Sequence, residues 1–219
     1  MDLIMALKPK SVLDIGAGYG KYGVLCREYL ELWDGRQNYY ERLRRIDGVE
    51  VFENYITPLH KYVYDHIYIG DIIKLVSQID FKYDLVLLID VLEHFSKLEG
   101  ESLMTKLLEK NIGILISTPR KPTVQKEAFG NVYESHRSRW RKQELARFGN
   151  SYFINDPVSF IGYISQKEHI QKLKSELILM KIKKSSEVSS LISSWKYYTN
   201  KYIKQKVPDS LIKWNERAD

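Results

Sequence analysis

A chain of 219 residues, 44% hydrophobic and 12% aromatic, carries enough apolar material for one packed domain and an appendage, which excludes a disordered or fibrous protein. Its one cysteine, Cys26, excludes an internal disulfide and a cysteine-built zinc site. The net charge of +6 sits in residues 166–219, which hold twelve Lys or Arg against six Asp or Glu; the remainder, with 22 of each sign, is neutral and does not read as a nucleic-acid-binding surface.

Met1 to Leu7 is too short for a secretion leader and already holds Asp2. The longest apolar run, Leu85 to Leu92, is broken by Asp90 and falls far short of a bilayer span. A cytoplasmic protein with no transmembrane segment is the expectation. Along the chain, strand and helix patterns alternate. Ser11 to Ile15 reads as a strand, followed by glycines and a helix over Tyr22–Leu32. Trp33-Asp34-Gly35 breaks that helix, and 36–45 reads as a second helical piece. A strand over Arg45–Phe52 contains Gly48-Val49-Glu50. Helix or loop covers Tyr55–Tyr64, and His66–Ile69 is a third strand ending at Gly70-Asp71. Ile72–Gln78 reads as helix, Tyr83–Ile89 as the strongest strand, Lys97–Lys110 as helix and Ile112–Ser117 as a fifth strand. A polar loop spans Thr118–Ser138, and a helix over Trp140–Phe148 stops at Gly149. Ser151–Asn155 and Val158–Ser165 flank Asp156-Pro157 as a closing antiparallel pair.

Near-continuous apolar strands suit a parallel sheet covered on both faces, so the expected fold is α/β, a doubly wound, mostly parallel Rossmann-like sheet. In such sheets ligands bind beyond the carboxyl ends of the strands. Asp14, Glu50, Asp71 and Asp90 lie at or just past the ends of the first four strands. The glycine run Gly16, Gly18, Gly20 and Gly23 permits positive φ and close approach of a ligand to the backbone. Gly18 to Gly23 also satisfies the dinucleotide spacing G-x-G-x-x-G, which opens an NAD-dependent oxidoreductase as an alternative. Two features oppose it. A pyrophosphate gains nothing from the Asp14 carboxylate, and the ribose-binding acid should follow at about 20 residues, whereas Glu50 comes later.

These segments resemble a family. D-I-G-A-G-Y-G at 14–20, G-V-E at 48–50, G-D at 70–71 and Y-D-L-V-L-L-I-D-V-L-E-H-F at 83–95 are similar to the successive motifs of class I S-adenosylmethionine-dependent methyltransferases, over about residues 8–165. The resemblance implies a seven-stranded sheet whose last strand is antiparallel. It implies S-adenosyl-L-methionine as cofactor and S-adenosyl-L-homocysteine as product. Gly16, Ala17 and Gly18 would approach the methionine part, with Asp14 near its amino group. Glu50 and Val51 would hold the ribose, Asp71 the adenine amine and Ile72 the ring, and Asp90 and Val91 would line the pocket beside the methyl.

For the chemistry, His94 is the first candidate general base and His136 the second, with Asp90 at the reacting end. Asn131, Glu134 and Trp140 offer hydrogen bonds and an aromatic face to a polar small-molecule or glycan-like acceptor, methylated on O or N. No Asn-Pro-Pro-Tyr type segment follows the fourth strand, which disfavours a nucleic-acid amine as acceptor. An RNA methyltransferase using the basic tail is the alternative. No metal site is predicted, because clustered acids are not evident. Residues 1–165 are expected to form the methyltransferase domain and 166–219 a basic, aromatic, helical extension. There Ile170, Leu173, Leu177 and Met180 make one apolar stripe, and Val188, Leu191, Ile192, Trp195, Tyr198 and Tyr202 a second. The extension would pack on the domain or pair two subunits.

Overall fold

In the computed structural model, residues 1–32, 38, 41–78, 80, 82–121, 125–185, 190, 193 and 194 are described. The chain divides into two compact units, Met1–Leu173 and Lys174–Asp219. The first is built on a seven-stranded sheet: β1 (Ser11–Ile15), β2 (Arg45–Glu50), β3 (His66–Ile69), β4 (Leu85–Ile89), β5 (Gly113–Pro119), β6 (Asn150–Phe153) and β7 (Ser159–Ser165). The strand order is β3-β2-β1-β4-β5-β7-β6. β1 pairs in parallel with both β2 and β4, so the order reverses there, and a crevice opens beyond the strand ends at that point. β7 runs antiparallel between β5 and β6.

The central strands are apolar on both faces. Leu13, Leu85, Val86, Leu87, Leu88, Ile114 and Ile116 are all fully buried, so neither face of the sheet centre meets water. The helices are α1 (Asp2–Leu7), α2 (Lys21–Arg27), α3 (Pro58–Val63), α4 (Ile72–Gln78), α5 (Lys97–Lys110), α6 (Lys142–Leu145) and α7 (Lys167–Lys184). α5 starts sharply at a capping box: Ser96 Oγ accepts from Glu99 N, and Glu99 Oε2 accepts from Ser96 N at 2.9 Å. α1 was not foreseen; it buries Leu3, Ile4 and Ala6.

Three expectations about local structure give way. The first long helix ends at Arg27 and continues as a π turn over Glu28–Leu32. The helical piece over 36–45 is absent from its described part. Residues 41–44 are irregular, because the backbone N–H groups of Leu43 and Arg44 donate to Oε1 of buried Glu31, at 3.1 and 2.8 Å, instead of to helical carbonyls. Trp140 lies outside its helix. Arg141 N–H donates to Glu144 Oε2 at 2.7 Å, so α6 begins only at Lys142 and passes into a 3-10 turn over Ala146–Phe148.

In the second unit the helix begun at Lys167 continues to Lys184, with Ile178, Leu179 and Ile182 exposed. The second apolar stripe of the expected extension, Val188 to Tyr202, lies outside the described residues. Among the described residues no helix is long and apolar enough to cross a membrane.

Candidate active site

The crevice at the sheet switch point is a cavity of about 360 Å³, within the range of roughly 300–1,000 Å³ common for small-molecule sites. One end is the glycine turn after β1. Gly16 has φ 74° and a Cβ there would meet Val91 Cγ2 at 2.5 Å, so only glycine fits. The N–H groups of Gly16 and Ala17 both donate to Val49 O, at 2.9 and 3.0 Å, which pins the turn to β2. Gly18, at φ 53°, has nothing nearer its missing Cβ than 4.0 Å and lines open cavity.

Two residues that sequence reasoning missed hold this turn from behind. His60 is fully buried; Thr57 N–H donates to its Nδ1 at 3.1 Å, so Nε2 carries the proton and donates to Gly18 O at 2.8 Å. Tyr64 donates its hydroxyl to Asp14 Oδ2 at 2.6 Å and accepts from Gly23 N at 3.2 Å. Nothing in the linear pattern of 55–64 marks either residue as a partner of the glycine turn.

Asp14 itself is buried beneath the turn and does not line the cavity, nor does Ala17. Burial pushes the Asp14 carboxyl up to about 7, the Tyr64 hydrogen bond opposes the rise and the nearby Glu50 charge adds to it. Glu50 does line the cavity, with Val51. Its Oε2 accepts from Gly18 N and its Oε1 from Phe52 N, both at 2.8 Å. Burial raises the Glu50 carboxyl above its ordinary value, and these two N–H groups pull the other way.

Asp71, Ile72, Asp90 and Val91 line the same cavity, as expected for a site at the strand ends. Asp71 Oδ1 accepts from Ile73 N at 2.9 Å and thereby also caps α4. Asp90 has φ 54°, a left-handed conformation that aspartate tolerates better than most residues, and accepts from Ser117 Oγ at 2.8 Å.

The far end is formed by His94, Phe95, Glu99, Asn131, Tyr133, Glu134 and Arg137. Arg137 and Glu99, neither foreseen, pair at 3.1 Å. Asn131 is buried and its Oδ1 accepts from Tyr133 N at 2.9 Å. Glu134 Oε1 accepts from the Tyr55 hydroxyl at 3.2 Å. His94 and His136 face each other with ring centroids 5.2 Å apart, although His136 itself does not line the cavity.

Trp140 is a correction. It is 1% exposed, donates its indole N–H to Ser138 Oγ at 2.8 Å, packs on Gly100, and has Lys97 Nζ 3.6 Å from its ring centroid. An indole so enclosed is part of the core and presents no face to an acceptor.

No protein-family model matches the chain, and no curated protein sequence matches it. Solved structures do. The N-terminal domain of EvdMO1 with SAH bound is 15% identical, at TM-score 0.53 over 72% of this chain and 74% of that one. The same domain was also crystallised in the presence of SAH and D-fucose, and is similar at 14% identity and TM-score 0.53 over 72% of this chain and 76% of that one. The methyltransferase domain of bacterial CtHen1 is 17% identical, at TM-score 0.50 over 74% and 93%. The chain has the class I methyltransferase fold. The antiparallel β7 inserted between β5 and β6 separates this fold from the 3-2-1-4-5-6 order of dinucleotide-binding oxidoreductases.

Proposed function

We propose that the chain is an S-adenosylmethionine-dependent methyltransferase acting on oxygen or nitrogen of a small, polar, glycan-like acceptor. The observation that carries this is the set of three carboxylates at successive strand ends, Glu50, Asp71 and Asp90, around a glycine turn open at Gly18. Such a set matches a ligand with a ribose diol, an exocyclic amine and cationic groups. It does not match a pyrophosphate, which these acids would repel. The donor supplies an electrophilic methyl group on a sulfonium.

The positions of the lining residues support the following roles for the chain's own residues. Gly16 and Gly18 let the methionine part approach the backbone. Glu50 accepts from the ribose hydroxyls and Asp71 from the adenine amine over Ile72, while Asp14, beneath the turn and outside the cavity lining, acts on the ammonium through its charge alone. Val51 flanks the ribose, and Ala17, outside the cavity lining, holds the turn in place through Val49 O. Asp90 and Val91 border the methyl. Beyond them His94, Asn131 and Glu134 line the acceptor side, with His136 against His94, and the histidine pair serves the acceptor's proton.

Residues 1–165 are assigned to this domain and 166–219 to a helical extension. The sugar-like acceptor has support from the polar lining at Asn131, Glu134, Glu99 and Arg137, and from the D-fucose used with the similar EvdMO1 domain. The test is transfer of labelled methyl from S-adenosylmethionine to a panel of monosaccharides and nucleotide sugars, with the product identified by mass. Transfer only to RNA would replace this acceptor assignment, and absence of donor binding would remove the activity altogether.

A further inference from the structure

At the far end of the cavity, three side chains of metal-binding type converge although 42 residues separate two of them. One ligand atom each from Glu93, His94 and His136 lies within 4.8 Å of the others. Two imidazoles and one carboxylate make a donor set suited to first-row divalent cations. Proximity alone would be weak, but three independent features prepare the group.

First, Glu93 is 1% exposed and its Oε2 has no hydrogen-bond partner among the described residues, an arrangement that is costly unless something else meets the oxygen. Second, His94 Nδ1 lies 3.2 Å from Ser135 O. A carbonyl can only accept, so Nδ1 carries the proton and Nε2 keeps its lone pair, as in ligating histidines whose other nitrogen donates to a backbone oxygen. Third, the loop is clamped in register. Arg137 N and Ser138 N both donate to Glu93 O, at 2.8 and 3.0 Å, and His136 N donates to Gln125 O at 2.9 Å. His136 is therefore fixed beside Glu93 and His94. Glu134 Oε2 lies 3.9 Å from His94 Nε2, near enough to add a second carboxylate.

We infer that Glu93, His94 and His136 bind one divalent transition-metal ion at the wall of the cavity, with Glu134 beside it. His94 and Glu134 also line the cavity, so the ion would meet the acceptor there. This deepens the proposed function and rests on it: the histidines act on the acceptor's proton through a bound ion and do not take it up themselves. A hydroxyl coordinated to the ion becomes more acidic and releases its proton to solvent. Its oxygen then forms the bond to the methyl carbon as the carbon–sulfur bond breaks, with the electron pair staying on sulfur.

The experiment is titration of the chelator-treated full chain with Co²⁺, followed by visible absorption and by calorimetry, with S-adenosylhomocysteine binding measured on each sample. The wild type should bind one Co²⁺ with a ligand-field band characteristic of nitrogen and oxygen ligands. Glu93→Gln and His136→Asn should each weaken Co²⁺ by roughly ten- to a hundredfold or more while S-adenosylhomocysteine affinity is retained. Retained affinity shows that the variants are folded and that the donor reading stands apart from this one. A wild type that gives neither band nor stoichiometric heat with Co²⁺ overturns the site whatever the variants do, as does Co²⁺ binding that both variants leave unchanged.

Discussion

The Tyr64 hydroxyl donates to Asp14 at 2.6 Å across fifty residues of sequence, and so ties α3 to the strand that launches the glycine turn. Removing it in Tyr64→Phe leaves a buried carboxyl oxygen without its donor. A loss of about 1–3 kcal/mol of stability is expected, read as a lower denaturant midpoint at neutral pH. Because that hydrogen bond opposes the rise of the Asp14 carboxyl, the variant's carboxyl should sit higher still.

Asp14 gives the wild type a pH signature. With a folded value of about 7 against an ordinary 3.8, the folded state binds more protons than the unfolded chain between those values. The Asp14 contribution to stability is therefore full below 3.8 and is lost as pH rises through about 7. An ammonium placed above Asp14 favours the carboxylate, so donor affinity should move the opposite way, rising roughly tenfold between about pH 6 and pH 8 with release of a proton. Calorimetry of S-adenosylhomocysteine binding in two buffers of different ionisation heat checks both. A flat profile with no proton release would show that Asp14 does not serve the amino group.

Asp71 caps α4 through Ile73 N, so its alanine variant confounds two roles. Asp71→Asn keeps an oxygen for the cap but replaces the other carboxylate oxygen with an amide that donates. The expected outcome is a melting temperature close to wild type with at least tenfold weaker S-adenosylhomocysteine binding, whereas Asp71→Ala loses in addition about 1 kcal/mol of stability. Unchanged binding in Asp71→Asn would leave only the cap.

Trp140→Ala should destabilise the domain by about 3–5 kcal/mol, because a fully buried indole leaves a cavity beside Gly100. Below its melting transition the variant should bind S-adenosylhomocysteine as the wild type does. The two measurements, thermal unfolding and calorimetry, separate a core residue from one that touches a ligand.

Much of the frame could be read from the chain. Leu85 to Ile89 is apolar without alternation, so a doubly buried strand is the simple reading, and the acids following each early strand locate the crevice once the strands are parallel. The Asp156-Pro157 turn between two apolar runs foretells the antiparallel pair β6 and β7. What escaped depends on distant partners. Residues 41–44 carry helix-forming side chains, yet the Glu31 carboxylate takes their N–H groups. Trp140 reads as an aromatic face at a helix start until Gly100 is seen to leave room for it in the core. Glu93 carries no signal of its own in the chain, and only the path of residues 125–138 brings His136 beside it.

The crevice lined by Gly18, Glu50, Asp71 and Asp90 is proposed as the donor site. Isothermal titration of the full chain with S-adenosylhomocysteine tests it most directly. One site per chain is expected, lost in Glu50→Ala, which removes the carboxylate that accepts from Gly18 N and Phe52 N. No binding by the folded wild type at millimolar ligand would contradict it.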